Sequence, residues 1–352
     1  MTKDLLLAIL SMDTYNRGYG PGITGLSDDL GTQIGTATIS NRTSSLANSP
    51  EVAAGFYAVA YDTEYGKVIA YRGTDSGLEL PLVDWPIAFN DDYDEAQVHL
   101  ANRFYNDVSA GVAEPLILTG HSLGGALAGF TGLVNSEPIV AVAPIDFGPA
   151  FLNFKGLIDQ YLLVKDTPQA STDEIFVPGK GNVNTVQFAV ETLTAMGIDL
   201  NDIPTLQTQL TNYTGMHLSG EIAETARSAQ TPSTPILDGF LQHMGSVVGP
   251  IDAHSASLTV IVKYAEDEFL AQGASALHFT TITEELFPAL FDEDIAKLAG
   301  AVATPNADAN DIMRDAIAYS ALDEGSLFRG SSCLLYDIKI RGKLLLTNTY
   351  LP

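Results

Sequence analysis

Leu116-Ile-Leu-Thr-Gly-His-Ser-Leu-Gly-Gly-Ala-Leu-Ala128 is the stretch on which the fold turns. Its first half is a short apolar run that reads as a buried strand, and its second half is a run of small residues that reads as a helix over Leu123 to Val134. Between them lies Gly120-His121-Ser122-Leu123-Gly124, a Gly-x-Ser-x-Gly sequence in the strand-to-helix context such a motif needs. A serine on a turn this tight takes a strained backbone conformation, and glycines two residues to either side let neighbouring chain pass close by. The turn lifts the hydroxyl above the sheet. It also aims the Leu123 amide, at the helix N-terminus, towards any oxyanion forming beside Ser122. Ser122 is therefore the candidate nucleophile.

Working outward, short β-rich runs alternate with helical ones. Phe56 to Tyr61 and Lys67 to Tyr71 read as strands joined by a Thr63-Glu-Tyr-Gly66 turn, and Ala96 to Val108 reads as a helix. After the serine turn come runs read as strands, Ile139 to Ile145 and Gln160 to Val164. Strand, helix, strand in this order predicts parallel β-α-β units and an α/β fold: an α/β-hydrolase-type, mostly parallel sheet covered by helices on both faces. From Pro178 the character changes. Val183 to Met196 and Ile203 to Leu210 read as helices, while Gln230-Thr-Pro-Ser-Thr-Pro235 reads as a loop. The expected organisation is a core over residues 1–177, a helical lid or cap insertion over 178–249, and a last part over 250–352. That last part holds a long helix from Ser255 to Leu270, further helices near Glu284 to Ala299 and Ala309 to Ala318, and strands at Cys333 to Ile340 and Lys343 to Asn348.

The chain has 352 residues, 46% of them hydrophobic, with 17 Lys and Arg against 43 Asp and Glu and a formal charge of −26. A surface this acidic repels phosphate backbones, which argues against nucleic acid, but it does not penalise a neutral ester or lipid interface. No run approaches the roughly 18 apolar residues of a membrane span. The N-terminal Leu5 to Leu10 run is followed at once by Met12, Asp13 and Tyr15 with no small-residue cleavage site. It reads as an amphipathic first helix rather than a signal peptide, so a soluble protein is expected, cytoplasmic or exported without a leader. The single cysteine, Cys333, excludes an intramolecular disulfide. The histidines lack Cys companions or a His-Glu-x-x-His pattern, so neither a metal nor another cofactor is expected.

A hydroxyl nucleophile needs a base oriented by an acid, and on α/β-hydrolases these follow the serine in the order acid, then histidine. Asp146, Asp166 and Asp173 compete as the acid; Asp146 and Asp166 end the two strands read after the serine. His217, His243, His254 and His278 lie far enough downstream to be the base, and His99 lies upstream. His254, in Pro250-Ile-Asp-Ala-His-Ser-Ala-Ser-Leu258, stands where a loop turns into a helix and could swing over Ser122. His243 reads as a helix-face residue.

Four matches in order mark a family resemblance. Ile69-Ala-Tyr-Arg-Gly-Thr-Asp75 with Asp84-Trp85 resembles the oxyanion strand of the class 3 (fungal-type) lipases, and Gly120-His-Ser-Leu-Gly-Gly-Ala-Leu127 resembles their nucleophile turn. Phe147-Gly-Pro-Ala150 and Leu162-Leu-Val-Lys-Asp-Thr-Pro168 resemble their next two strand ends. The resemblance covers Gly55 to about Pro168. It implies Asp166 as acid, because an aspartate followed shortly by proline stands at that place, and His254 as base. It also implies Thr74 as the second oxyanion donor beside Leu123. His121 and Trp85 are expected against the substrate, His121 as packing rather than as base, and Arg72 as structural, paired with a carboxylate. The activity implied is lipase or esterase on lipid or acylglycerol esters. Rival readings are an acyltransferase using the same residues and a non-catalytic binding module. The family's short lid after the oxyanion strand has no counterpart here, since the long insertion falls between Asp166 and His254.

Overall fold

Thr2 starts the first helix by accepting a hydrogen bond from the Leu5 amide at 3.3 Å, and α1 runs over Lys3–Asp13. Every residue from Leu5 to Asp13 is buried, so α1 is enclosed on all sides rather than amphipathic. This computed structural model describes residues 2–19, 32–34, 36–74, 93–94, 96–177, 180–204, 206, 212–236 and positions 254, 256, 259, 260, 263, 266 and 267.

Strands β1 (Gln33–Ile34) and β2 (Ala37–Arg42) lead to a short helix α2 (Pro50–Ala53), capped by the Ser49 side chain. The hairpin β3 (Ala58–Thr63) and β4 (Gly66–Tyr71) follows, its register running from Ala58 opposite Tyr71 to Thr63 opposite Gly66. Helix α3 (Ala96–Ser109) leads into β5 (Ile117–His121), α4 (Leu123–Asn135) and β6 (Ile139–Val142). Next come α5 (Gly148–Val164), the antiparallel pair β7 (Glu174–Val177) and β8 (Gly181–Asn184), and α6 (Thr185–Met196). Strands β9 (Tyr213–His217) and β10 (Thr234–Pro235) complete the described elements, apart from helical positions between 256 and 267.

The main sheet has eight strands among the described residues, in the order β1-β2-β3-β4-β5-β6-β9-β10. Pairing is antiparallel from β1 to β4 and parallel from β4 to β10, which makes a mixed α/β sheet. Strand β5 is central and wholly buried. Its side chains alternate between faces. Thr119 Oγ1 meets Ser11 Oγ of α1 at 2.8 Å, whereas Leu118 packs beside Gly132 of α4. One helix thus covers each face.

Two expectations need correction. Residues 160–164, read as a strand, are the last turns of α5: Phe154, Leu157, Ile158, Tyr161 and Val164 are buried at helical spacing, while Leu162 and Leu163 are exposed. A short apolar run does not distinguish a strand from a helix end, and here the helical period decides it. The span 178–249, read as a lid, contributes β8, α6, β9 and β10 instead. Helix α6 buries Phe188, Ala189, Leu193 and Met196 in the main core, and β9 pairs directly with β6. Ile203 and Pro204 are not helical. The elements expected from 268 onwards, Cys333 among them, fall outside the described residues.

Candidate active site

The parallel half of the sheet gathers the ends of β4, β5, β6 and β9 along one carboxyl edge, the usual ligand-binding side of such sheets. Ser122 sits at the end of β5 with φ 57° and ψ −123°, a conformation L-residues rarely adopt. The main chain enforces it: the Ser122 amide donates to Val142 O at 3.0 Å, and Ser122 O accepts from the Ala126 amide at 3.2 Å. A Cβ at Gly124 would lie 2.0 Å from Tyr71 O, and one at Gly120 would lie 2.3 Å from Gly124 O. The turn can therefore form only with bare main chain at both places.

Two further groups converge there. Leu123 is the first residue of α4, where helix amides lack an intrahelical acceptor. Residues Arg72, Gly73 and Thr74 leave β4 directly beside the turn, since a Cβ at Gly73 would lie 2.6 Å from His121 O and 3.3 Å from Ser122 Cβ. Thr74 is exposed at this edge. Arg72 is buried, with its guanidinium 4.3 Å from the centre of the Tyr19 ring and 5.1 Å from that of Tyr57. Trp85 lies outside the described residues.

His254 reaches the serine, with Nε2 2.9 Å from Ser122 Oγ. Its Nδ1 lies 2.5 Å from Glu221 Oε2. Glu221 follows β9 by four residues and is buried. Its Oε2 accepts the Ala223 amide at 2.8 Å, and its Oε1 pairs with Arg227, whose Nε donates to Pro144 O at 2.6 Å. Burial by itself would raise the Glu221 pKa, but the charge and hydrogen bond of His254 and the Arg227 guanidinium outweigh it and hold the group at about 2. Glu221 is thus a carboxylate at any pH near neutrality.

The aspartates named from sequence lie elsewhere. Asp166 follows α5, 83% exposed, and pairs with Lys165 at 3.1 Å. The expectation that it meets His254 is corrected because residues 160–164 are helix, so the next parallel strand after β6 is β9 and the residue beyond that strand is Glu221. Asp146 accepts from the Ser228 amide and hydroxyl at 2.9 Å each and ties that segment to the start of α5. Asp173 accepts from Gln160 and Thr185 at 2.9 and 3.0 Å. Among the other histidines, His217 Nδ1 meets Ser233 Oγ at 2.8 Å and His99 faces Asp94 at 3.1 Å; positions 243 and 278 are outside the described residues. The sequence does not single out Glu221, because Tyr213-Thr-Gly-Met-His217 falls within the span read as a helical insertion. The available signal was that short strand with Ser219-Gly220 after it.

His121 is buried beside this group. Its Nδ1 is 2.9 Å from Tyr15 Oη and its Nε2 is 2.6 Å from the His254 carbonyl oxygen. Among the described residues no group of three or more His, Cys, Asp or Glu could hold a metal, and no helix is long and apolar enough to cross a membrane.

A family model described as Mbeg1-like matches residues 36–142, which run from β2 through the serine turn to the end of β6. No curated protein matches the chain.

Proposed function

We propose that this protein is a serine hydrolase that cleaves carboxylic esters, with Ser122 as nucleophile, His254 as general base and acid, and Glu221 as the orienting carboxylate. The observation that carries the reading is the unbroken run from Ser122 Oγ through the His254 ring to Glu221, at 2.9 and 2.5 Å, starting from a serine with positive φ. Serine, acid and histidine also follow one another along the chain in the α/β-hydrolase order. The Mbeg1-like match, which spans this turn, is compatible with that reading.

The chemistry follows from the geometry. Ser122 donates its proton to His254 Nε2 as Oγ attacks the ester carbonyl, and the carbonyl π pair moves onto oxygen. The Leu123 amide and Thr74 stabilise that oxyanion. Collapse of the tetrahedral adduct breaks the carbonyl–alkoxy bond, and imidazolium Nε2–H protonates the departing alcohol. An acyl-Ser122 remains. Water then repeats the sequence, its proton passing to His254 and returning to Ser122 as the acid is released. Ionised Glu221 keeps the proton on Nδ1, leaving Nε2 free to accept. The resemblance to class 3 lipases points to lipid or acylglycerol esters as substrates, with a neutral lipid interface as one place to meet them. In this reading Glu221 takes the part that the resemblance gave to Asp166.

The test is labelling with a fluorophosphonate alongside hydrolysis of p-nitrophenyl esters of increasing chain length. Ser122→Ala should abolish labelling and reduce kcat by about 10⁴-fold or more while leaving the thermal transition unchanged. A folded Ser122→Ala protein that keeps a tenth of wild-type turnover would sink the assignment.

A further inference from the structure

We infer that Tyr15 and His121 are positioning residues that fix the main chain of His254 and so set the distance between base and nucleophile. The inference rests on the hydrolase reading above. Strand alternation puts His121 on the same face of β5 as Thr119, the face covered by α1, and the chain leaving α1 delivers Tyr15 to it. The two rings meet edge-on at 5.7 Å, and the His121 and His254 rings lie 5.0 Å apart.

The partners decide the tautomer. A carbonyl oxygen can only accept, so the 2.6 Å contact to His254 O requires a proton on His121 Nε2. A neutral ring then presents Nδ1 as an acceptor, and Tyr15 Oη–H donates to it at 2.9 Å. Burial, together with the nearby His254 charge, pushes protonation of His121 down to about 3, so the ring stays neutral at ordinary pH. The direction of both hydrogen bonds is thereby fixed, from Tyr15 through His121 to the His254 backbone. Because His121 is bonded covalently to Ser122, the residue beside the nucleophile also holds the base. An error of 1 Å in such a pair can cost about 10²-fold in rate.

Four proteins test this: wild type, Tyr15→Phe, His121→Leu and His121→Gln. For each, kcat and KM on p-nitrophenyl butyrate, the fluorophosphonate labelling rate and the thermal transition are measured. His121→Leu should lower kcat and labelling by about 10²-fold with little change in KM. The Gln amide can donate to the His254 carbonyl, so His121→Gln should recover about tenfold over His121→Leu. Tyr15→Phe should lower kcat about fivefold, because the competing Nδ1–H tautomer then loses the relay. A purely structural role predicts instead that Gln is no better than Leu and that the losses follow thermal stability; that result overturns the inference. A wild type that never labels at Ser122 defeats the hydrolase reading itself. A wild type that labels, with His121→Leu turning over at a similar rate, defeats only the relay. Should His121→Leu fail to fold, a Tyr15→Phe kcat equal to wild type overturns it.

Discussion

Ser122, His254 and Glu221 are three buried polar groups whose worth depends on one another. Glu221→Gln offers the His254 Nδ1–H a weaker, wrongly protonated partner and should cut kcat by about 10⁴-fold. It also leaves Arg227 beside a neutral amide in a buried place, costing on the order of 3 kcal/mol of stability. Asp166→Asn, at an 83% exposed position, should stay within about twofold of wild type in the same assay. Equal losses in the two variants would return the acid to Asp166. His121 makes a separate prediction about pH. An unfolded chain binds a proton at this histidine near 6.5, whereas the folded chain does so only at about 3. The unfolded state therefore binds more protons across that window, and stability falls as pH drops from 6.5 towards 3, by at most about 1.4 kcal/mol per pH unit. Glu221, held at about 2 against an ordinary 4.5, adds to the loss only below 4.5, while Asp13 and Glu137, raised by burial, oppose it above their ordinary values. The difference between wild type and a His121 variant, rather than the slope itself, therefore reports on His121. His217 is shifted down by its own burial and shares part of the slope. Urea denaturation across that range should show a shallower fall in His121→Leu than in wild type; parallel slopes would contradict the buried neutral ring.

Helix α5 shows how one element redirects the reading of a site. Its buried residues Phe154, Leu157, Ile158 and Tyr161 join the main core, where the Phe154 ring lies 5.4 Å from Phe130 and 5.5 Å from Tyr93. Removing that ring should cost about 3–5 kcal/mol in Phe154→Ala. Leu163, 70% exposed on the other side, should tolerate Asp within about 0.5 kcal/mol. A strand over 160–164 would place Tyr161 and Leu163 on one face and make Leu163→Asp costly, so urea titration of that variant separates the two conformations. The consequence reaches the active site. With α5 occupying this part of the chain, the place beside β6 is left to β9, and β9 delivers Glu221 to His254.

At the scale of the molecule, α1 supports the strand that carries Ser122. Leu5, Leu6, Leu7, Ile9 and Leu10 are all buried, and Ser11 bonds to Thr119 of β5, two residues before the histidine that precedes Ser122. Burying five such side chains is worth roughly 7–15 kcal/mol, comparable with the whole stability of a typical domain at about 5–15 kcal/mol. A chain lacking residues 2–13 should therefore show no cooperative thermal transition by circular dichroism. A transition near that of the full chain would mean that α1 merely rests on a sheet that is stable without it.

Local chemistry along the chain was enough to place the serine turn, the β3–β4 hairpin and the helix after β5. Gly-x-Ser-x-Gly, the four-residue hairpin turn and a run of small residues each carry their conformation with them. The histidine that lies against Ser122 was also legible, as one standing where a loop enters a helix downstream of the serine. The carboxylate that meets it was not. Which parallel strand lies next to β6 depends on long-range pairing, and an apolar run such as Tyr161 to Val164 has the same hydropathy as a strand or as the end of a helix. Glu221 becomes the partner of His254 only once β9 has docked on β6, and Tyr15 meets His121 only once α1 has covered the face of β5 that carries His121. Both pairings join residues far apart in sequence through the packing of whole elements, which no local pattern encodes.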